Sequence, residues 1–426
     1  LDRNPGNALL HFLFGLLVMA YFFSFFFRVS AAVVLPRLAS EMGMTAAMTG
    51  FVSSLYYYAY AAVQPLCGSL NDRWGPLRVV AGGLLVAAVG AGLFMTASTP
   101  WTLAVARLLT GLGLAPMFSG ALVYQATAFP SHRYAFYSSI TIAMGNLGAV
   151  VSVGPLGAAI DHWGRSAVFL VLSVSSLLLA GVLLFKKKED PVTASRRRAS
   201  HAGGQFWEHF RLGFSTLAAS RECRSITILW GVSVAALLAF QGLWSVAWYQ
   251  TAYGVAASSA RNWASAIGVG VMAGTLLGGR LSPSPEGRIR AMLSGLSLNL
   301  AAWVGLWAGI FLHFPLSLAG TMGFAVGATT GLTVVHFASA LNEMTPRSRA
   351  GSVLGVVNMM VMVTVIAFQW GTGAILGHFP GVGAGSYSSL GFLATFGAAI
   401  VAMALSLFAL GGLKNFNEAV KGASAE

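Results

Sequence analysis

Apolar positions along this chain come in long blocks, and the polar residues are pushed into the gaps between them. An α-helix needs about 20 residues to cross about 30 Å of hydrocarbon. Blocks of that length fall near 8–36, 45–70, 77–97, 100–128, 133–160, 165–185, 225–252, 258–281, 289–312, 315–342, 349–376 and 386–412. The pattern therefore predicts an all-α membrane protein with twelve transmembrane helices. An even number returns the C-terminus to the side of the N-terminus. One long polar interval, Lys186 to Arg224, separates the sixth span from the seventh. The expected organisation is a six-helix bundle over 1–185, a cytoplasmic basic linker over 186–224, a second six-helix bundle over 225–412 and a cytoplasmic tail over 413–426.

A shift of 216 residues lays Pro130, Arg133, Gly157 and His162 over Pro346, Arg349, Gly373 and His378, with apolar helices in register between them. Such a repeat favours two pseudo-symmetric bundles, and repeat-built carriers hold their solute near the midplane. Composition agrees: 56% of residues are apolar and 9% charged, against about 25% charged in soluble domains. The net charge of +13 does not imply nucleic acid, because the basic residues follow the positive-inside rule. With both termini cytoplasmic, Arg37, Arg165 and Arg261 fall outside, Arg28 and Arg107 fall within helices, and the remaining lysines and arginines fall inside. Lys186–Lys188 and Arg196–Arg198 would then face anionic headgroups. Phe206, Trp207, Phe210, Phe214 and Leu217 recur at helical spacing beside Arg211 and Arg221, as in an interfacial helix on the lipid bilayer. Cys67 and Cys223 form neither a disulfide framework nor a metal site. The first apolar run has no cleavage site, so no signal peptide is expected. The missing methionine suggests a trimmed start, and the Ala-Ser-Ala-Glu end is native or an added remnant.

Gly68-Ser69-Leu70-Asn71-Asp72-Arg73-Trp74-Gly75-Pro76-Leu77-Arg78, between the second and third spans, resembles the loop signature of the major facilitator superfamily. The resemblance implies that fold and a cytoplasmic latch. Gly68 would admit a neighbouring helix, Asp72 would favour a helix N-terminus, and Arg73 and Arg78 would pair with it or with lipid phosphate. Arg107 to Gly113 resembles the family's fourth-helix arginine motif, and Gly145 to Gly157 its glycine-proline motif, where Pro155 would bend a helix. The second half lacks a strong latch, with Pro283 where the aspartate would stand.

Arg28 lies inside the first apolar block, where a cation costs about 2.5–3.5 kcal/mol on insertion scales. Phe27-Arg28-Val29-Ser30, with Pro36 and Glu41 to Thr45 after it, resembles the first-helix segment of organophosphate antiporters and of sialin-like and galactonate-type organic-anion carriers. In those relatives the arginine binds the substrate. Tyr21 and Ser24 share the helical face of Arg28. This chain departs from the relatives by carrying Phe27 where an acid stands in the galactonate type, and by lacking a second basic residue in the seventh helix, which offers Gln241, Trp244 and Trp248. A monocarboxylate therefore suits Arg28 alone better than a phosphate ester. Tyr57, with Tyr60 and Gln64, and Asn358, with Gln369, are further candidates for substrate contact.

No Asp or Glu lies well inside a predicted span. A coupling proton would need His336, a marginal acid such as Asp161 or Glu343, or the substrate's own carboxylate, whereas anion exchange needs none, and the motif of Arg107 suits gating or proton handling at least as well as direct binding. There is no phosphate-cradling loop, zinc-protease motif or metal cluster, so neither an enzyme nor a cofactor or metal requirement is expected. The expected function is an inner-membrane, monomeric secondary carrier of a small organic anion, working by symport or antiport through alternating access. An exporter of amphiphilic compounds, such as drugs or siderophores, and a non-transporting receptor are the other readings.

Overall fold

The computed structural model describes residues 5–130, 133–191, 205–281, 284–345, 350–381, 387–413 and 416–425. Among these residues the regular structure is helical, apart from one isolated bridge between Pro380 and Tyr387. Helices α1 (Pro5–Val29) and α2 (Ala31–Glu41) make the first expected span. Next come α3 (Ala46–Trp74), α4 (Pro76–Thr96), α5 (Pro100–Leu114), α6 (Met117–Ala128), α7 (Tyr134–Val151) and α8 (Gly154–Phe185). Helix α9 (Gln205–Ala219) lies in the linker. It is followed by α10 (Arg221–Ala239), a wide π turn at Phe240–Trp244, α11 (Ser245–Tyr253), α12 (Ala257–Arg280) and α13 (Pro285–Phe311). The chain finishes with α14 (Leu316–Glu343), α15 (Ala350–Gly377), α16 (Ser389–Ser406), a 3-10 turn at Leu407–Leu413 and α17 (Phe416–Ala425).

Local chemistry explains where these helices start and stop. Thr99, Ser220 and Ser388 accept hydrogen bonds from the backbone N–H groups of Thr102, Cys223 and Gly391, so side-chain oxygens cap three N-termini. Gly75 adopts φ 83° and Pro76 follows as the first residue of α4; the left-handed turn ends α3, and the fixed φ of proline starts its successor. The first expected span, 8–36, extends past its last position, Pro36. That proline sits inside α2, and the first span breaks earlier, at Ser30, before running on to Glu41. The expected loop between the fifth and sixth spans is a single left-handed residue, Gly164 at φ 78°, inside α8. Pro155 stands in the first turn of α8 after a break at Ser152 and Val153, where it begins a helix rather than bending one.

Among the described residues, nine helical stretches are long and apolar enough to cross a membrane. α3 and α12 carry more Tyr, Ser, Gly, Asn or Gln and fall below that hydropathy, whereas α7 is apolar but shorter over Phe136–Val151. Large apolar side chains such as Leu170, Leu178, Val401 and Leu405 are exposed on α8 and α16, as expected of surfaces solvated by lipid.

Contacts divide the chain into two compact units, one of Leu1–Arg28 with Leu55–Trp207, the other of Val29–Ser54 with Glu208–Glu426. Within the first, Gly83 of α4 and Gly113 of α5 lie against each other's carbonyls, Gly111 lies on the carbonyl of Tyr56, and Gly148 on that of Phe22. Within the second, Gly270 and Gly274 of α12 interlock with Gly327 and Gly331 of α14, and Gly50 of α3 lies against Gln369 and Gly373 of α15. Helices in lipid gain little from burying apolar area, so close approach at small residues supplies the packing. Arg288 of α13 and Glu343 of α14 form an ion pair in which the arginine is buried. In α9, Phe210 stacks on Phe214 and Gly213 packs on Ser352, while Arg211 and Phe214 are exposed. The side chains of Phe206 and Trp207, like all of Arg196–Arg198, lie outside the described residues.

Candidate functional site

The first unit assembles its polar residues around the end of α1. Arg28 stands in the last turn of that helix and is 6% exposed. Its guanidinium carbon lies 4.5 Å from the centroid of Phe25, 4.9 Å from Tyr60 and 6.0 Å from Tyr56, and its Nε has no hydrogen-bond partner. Attraction to ring faces at such distances is worth about 0.5–2 kcal/mol each, rising with desolvation. The charge is therefore held in an aromatic frame, with one buried donor left to give.

The end of α1 explains how a second arginine enters this frame. Carbonyls in the last turn of a helix have no partner four residues on, and the Phe27 carbonyl accepts a hydrogen bond of 2.9 Å from Nη1 of Arg107 on α5. The Arg107 guanidinium lies 4.8 Å from the Tyr56 centroid. Tyr56 is in turn fixed: its hydroxyl donates to the Ser24 carbonyl at 3.1 Å, and its ring stacks on Tyr60 at 5.9 Å. Ser24 donates to the Leu114 carbonyl at 3.3 Å, so its hydroxyl helps join α1 to α5. Tyr21 stacks on Phe118 of α6 at 4.9 Å, beside Gly145 of α7. Tyr57 is fully buried in the same layer of α3.

The second unit holds the other candidates. Gln241 and Trp244 are buried within the π turn Phe240–Trp244, a helix irregularity frequent at functional sites. Trp244 donates from Nε1 to Thr372 at 2.9 Å and meets Tyr387 edge to face at 5.3 Å. Trp248 packs against Phe240 and Phe396. Asn358 is half-buried on α15, and Gln369 donates to the Leu238 carbonyl at 3.2 Å. His336 is buried on α14, and its Nδ1 has no hydrogen-bond partner.

The loop signature is arranged differently from its sequence reading. Gly68 has nothing within 4 Å of the position a β-carbon would take, so it admits no close neighbour. Arg73 and Arg78 are exposed, and the side chain of Asp72 lies outside the described residues. Asp190 is an acid on the N-terminus of α4: its Oδ2 accepts from the Leu77 amide at 3.0 Å, and the residue is fully buried. Sequence reading also passed over Phe25, Phe118 and Tyr56. The signal for Tyr56 was the run Tyr56-Tyr57-Tyr58, in which the residue four before Tyr60 shares its stripe.

Known proteins fix the class to which this architecture belongs. The family model described as Major Facilitator Superfamily matches residues 17–368. The chain belongs to the major facilitator superfamily, a family of membrane transporters, and has its helical fold. It is 29% identical over 186 residues to the probable sulfoacetate transporter SauU of Cupriavidus necator, a match spanning 44% of this chain and 43% of that protein. It is 25% identical over 374 residues to the chloroplastic probable anion transporter 2 of Oryza sativa subsp. japonica, covering 81% of this chain and 67% of that one. It is 31% identical over 167 residues, 38% of each chain, to the multidrug resistance protein MdtG of Salmonella dublin. Among solved structures, a bacterial homologue of the human lysosomal transporter Spinster superposes with a TM-score of 0.78 at 16% identity, over 98% of this chain and 99% of that one. At that identity the likeness concerns the fold.

Proposed function

We propose that this protein is a secondary carrier of small organic anions, and that Arg28 holds the solute's negative group. The observation that carries the proposal is Arg28 itself: a buried guanidinium framed by Phe25, Tyr56 and Tyr60, with an Nε that donates to nothing. A guanidinium in that state is stabilised by an anion that accepts charge-assisted hydrogen bonds. Two relatives bear anion-transport names, sulfoacetate in one and an unspecified anion in the other. Alternating access between two six-helix bundles, over 1–185 and 225–412, in the inner membrane with both termini inside, completes the proposal. Gln241, Trp244 and Asn358 complete the solute's contacts in one state only, Arg73 and Arg78 act with Asp72 as a latch, and a monomer is the working unit. Coupling is by anion exchange, or by a proton carried on the substrate or on His336.

The test is uptake of labelled organic anions into proteoliposomes of the purified protein. Wild type accumulates label down an anion gradient, and Arg28→Gln reduces uptake to the level of empty liposomes while eluting as a folded monodisperse species. Full uptake by Arg28→Gln defeats the assignment. Export of amphiphilic compounds is the second reading, favoured by the aromatic cluster of Phe240, Trp248, Trp303 and Phe396 and by the likeness to MdtG. In that case cationic dyes, rather than anions, would be moved.

A further inference from the structure

Where α8 finishes, the first unit carries two short turns that one hydrogen bond pins together. The first is the turn at Gly75, between α3 and α4, with Arg73 and Trp74 before it and Arg78 after it. The second is a 3-10 turn at Lys187–Glu189, at the start of the linker. Asp190 follows that turn, is fully buried, and accepts from the Leu77 amide at 3.0 Å. Arg78 is the next residue after Leu77, and Lys188 stands two places before Asp190, with about 3.8 Å between successive Cα atoms. The clasp therefore gathers into one patch two basic clusters that lie far apart in sequence.

Charge and exposure at this patch fit one kind of partner. Arg73, Arg78, Lys187 and Lys188 are exposed, and among the described residues none of the four forms an ion pair. Glu189, the exposed acid beside them, is engaged by Lys186 at 3.0 Å. Leu178, Val182 and Phe185 share a face of α8 and are exposed, which makes an apolar stripe suited to acyl chains. The stripe ends at Phe185, and the basic turn starts two residues later. Trp74 is also exposed, and an indole favours the boundary between acyl chains and headgroups. A soluble acidic partner would meet the cations and leave the stripe beneath them uncovered. A phospholipid with a net negative headgroup meets both. We propose that this patch binds an anionic phospholipid of the adjoining leaflet, the cytoplasmic one in the orientation proposed above. Arg78, Lys187 and Lys188 attract the headgroup, and Asp190 is the positioning residue that holds the two turns together.

The test is lipid binding by the full chain in a non-ionic detergent, read as the rise in unfolding midpoint on adding short-chain phosphatidylglycerol or phosphatidylcholine. Wild type half-saturates with phosphatidylglycerol at concentrations at least about tenfold lower, since each cation near a headgroup supplies about fivefold. The preference shrinks as salt is raised, and inorganic phosphate, which brings no acyl chains, competes poorly. The combined change Arg78→Gln, Lys187→Gln and Lys188→Gln lies on the surface, leaves the fold intact and removes the preference. Asp190→Ala keeps every cation but frees the turns, and weakens phosphatidylglycerol binding by at least about fivefold, the share of one cation; Asp190→Asn, whose amide oxygen can still accept from Leu77, restores much of it. If Asp190→Ala binds phosphatidylglycerol as tightly as wild type while the triple variant does not, the cations act as a diffuse charge and the proposed site falls. Equal affinity of wild type for the two lipids overturns it without any variant, so a misfolded Asp190→Ala protein does not protect the idea. Competition by inorganic phosphate as strong as that by lipid assigns the patch to a free anion and overturns it too. The readout involves no transport, so each of these outcomes leaves the carrier assignment of Arg28 to its own test.

Discussion

Replacing Gly111 by alanine separates two opposing effects that this structure puts at one position. In an unpacked helix the change favours folding by about 0.8–1 kcal/mol, because alanine is the better helix former. At Gly111 of α5 the added β-carbon overlaps the backbone carbonyl of Tyr56 on α3. A backbone atom cannot turn aside as a side chain would, so the two helices must separate, at a cost of about 1–3 kcal/mol for overpacking. The net expectation is destabilisation by up to about 2 kcal/mol. Gly181 of α8 supplies the control, since nothing lies within 4 Å of its β-carbon position and only the helix-forming gain remains. Both variants are followed by intrinsic tryptophan fluorescence during heating in detergent at one fixed scan rate, because such transitions are often irreversible. At about 2–4 °C per kcal/mol for a domain of 150–250 residues, Gly111→Ala unfolds several degrees below Gly181→Ala. The shifted Tyr56 also releases its hold on both arginines, so Gly111→Ala loses anion affinity and Gly181→Ala keeps it. A midpoint for Gly111→Ala at or above that of Gly181→Ala would refute the claim that α3 and α5 touch backbone to backbone here.

The remaining predictions concern the charged groups. Arg28→Gln abolishes anion uptake, read in proteoliposomes. Asp190→Ala removes the acceptor of the Leu77 amide; loss of such a cap costs about 0.5–2 kcal/mol and shows as faster hydrogen exchange at the start of α4, with unchanged exchange there counting against the contact. Glu343→Gln leaves Arg288 buried beside a neutral group. Because breaking a buried pair by removing one member is the costly change, Glu343→Gln lowers the unfolding midpoint more than the double change Arg288→Met with Glu343→Leu; the reverse order would contradict the burial of that pair.

Much of the fold was legible because lipid imposes a strong rule: every span must be apolar over a fixed length, and charges must collect in between. That rule locates α4 or α16 within a few residues. It is silent about irregularities inside a span. Ser30 interrupts a helix without proline or glycine at the break, and the single Gly242 in the Phe240–Trp244 turn does not announce a widened coil, whereas Pro36, the residue that looks like a stop, is accommodated inside α2. The site was half legible for a related reason. Helical periodicity groups Tyr21, Ser24 and Arg28 on one face, but it does not say which helix lies opposite. Arg107 looked like part of a gating motif because its distance in sequence from Arg28 hides their common tyrosine. Asp190 was invisible as a cap, since its partner amide is 113 positions away.

The widened turn in the seventh span holds one residue more than a regular coil of the same height. Removing a single amino acid between Phe240 and Trp244 would therefore restore an unbroken rod, with Ser245–Tyr253 keeping their azimuth relative to Arg221–Ala239. Anywhere else along that segment, the same deletion would swing the far end by about 100° and carry its tryptophans away from their neighbours.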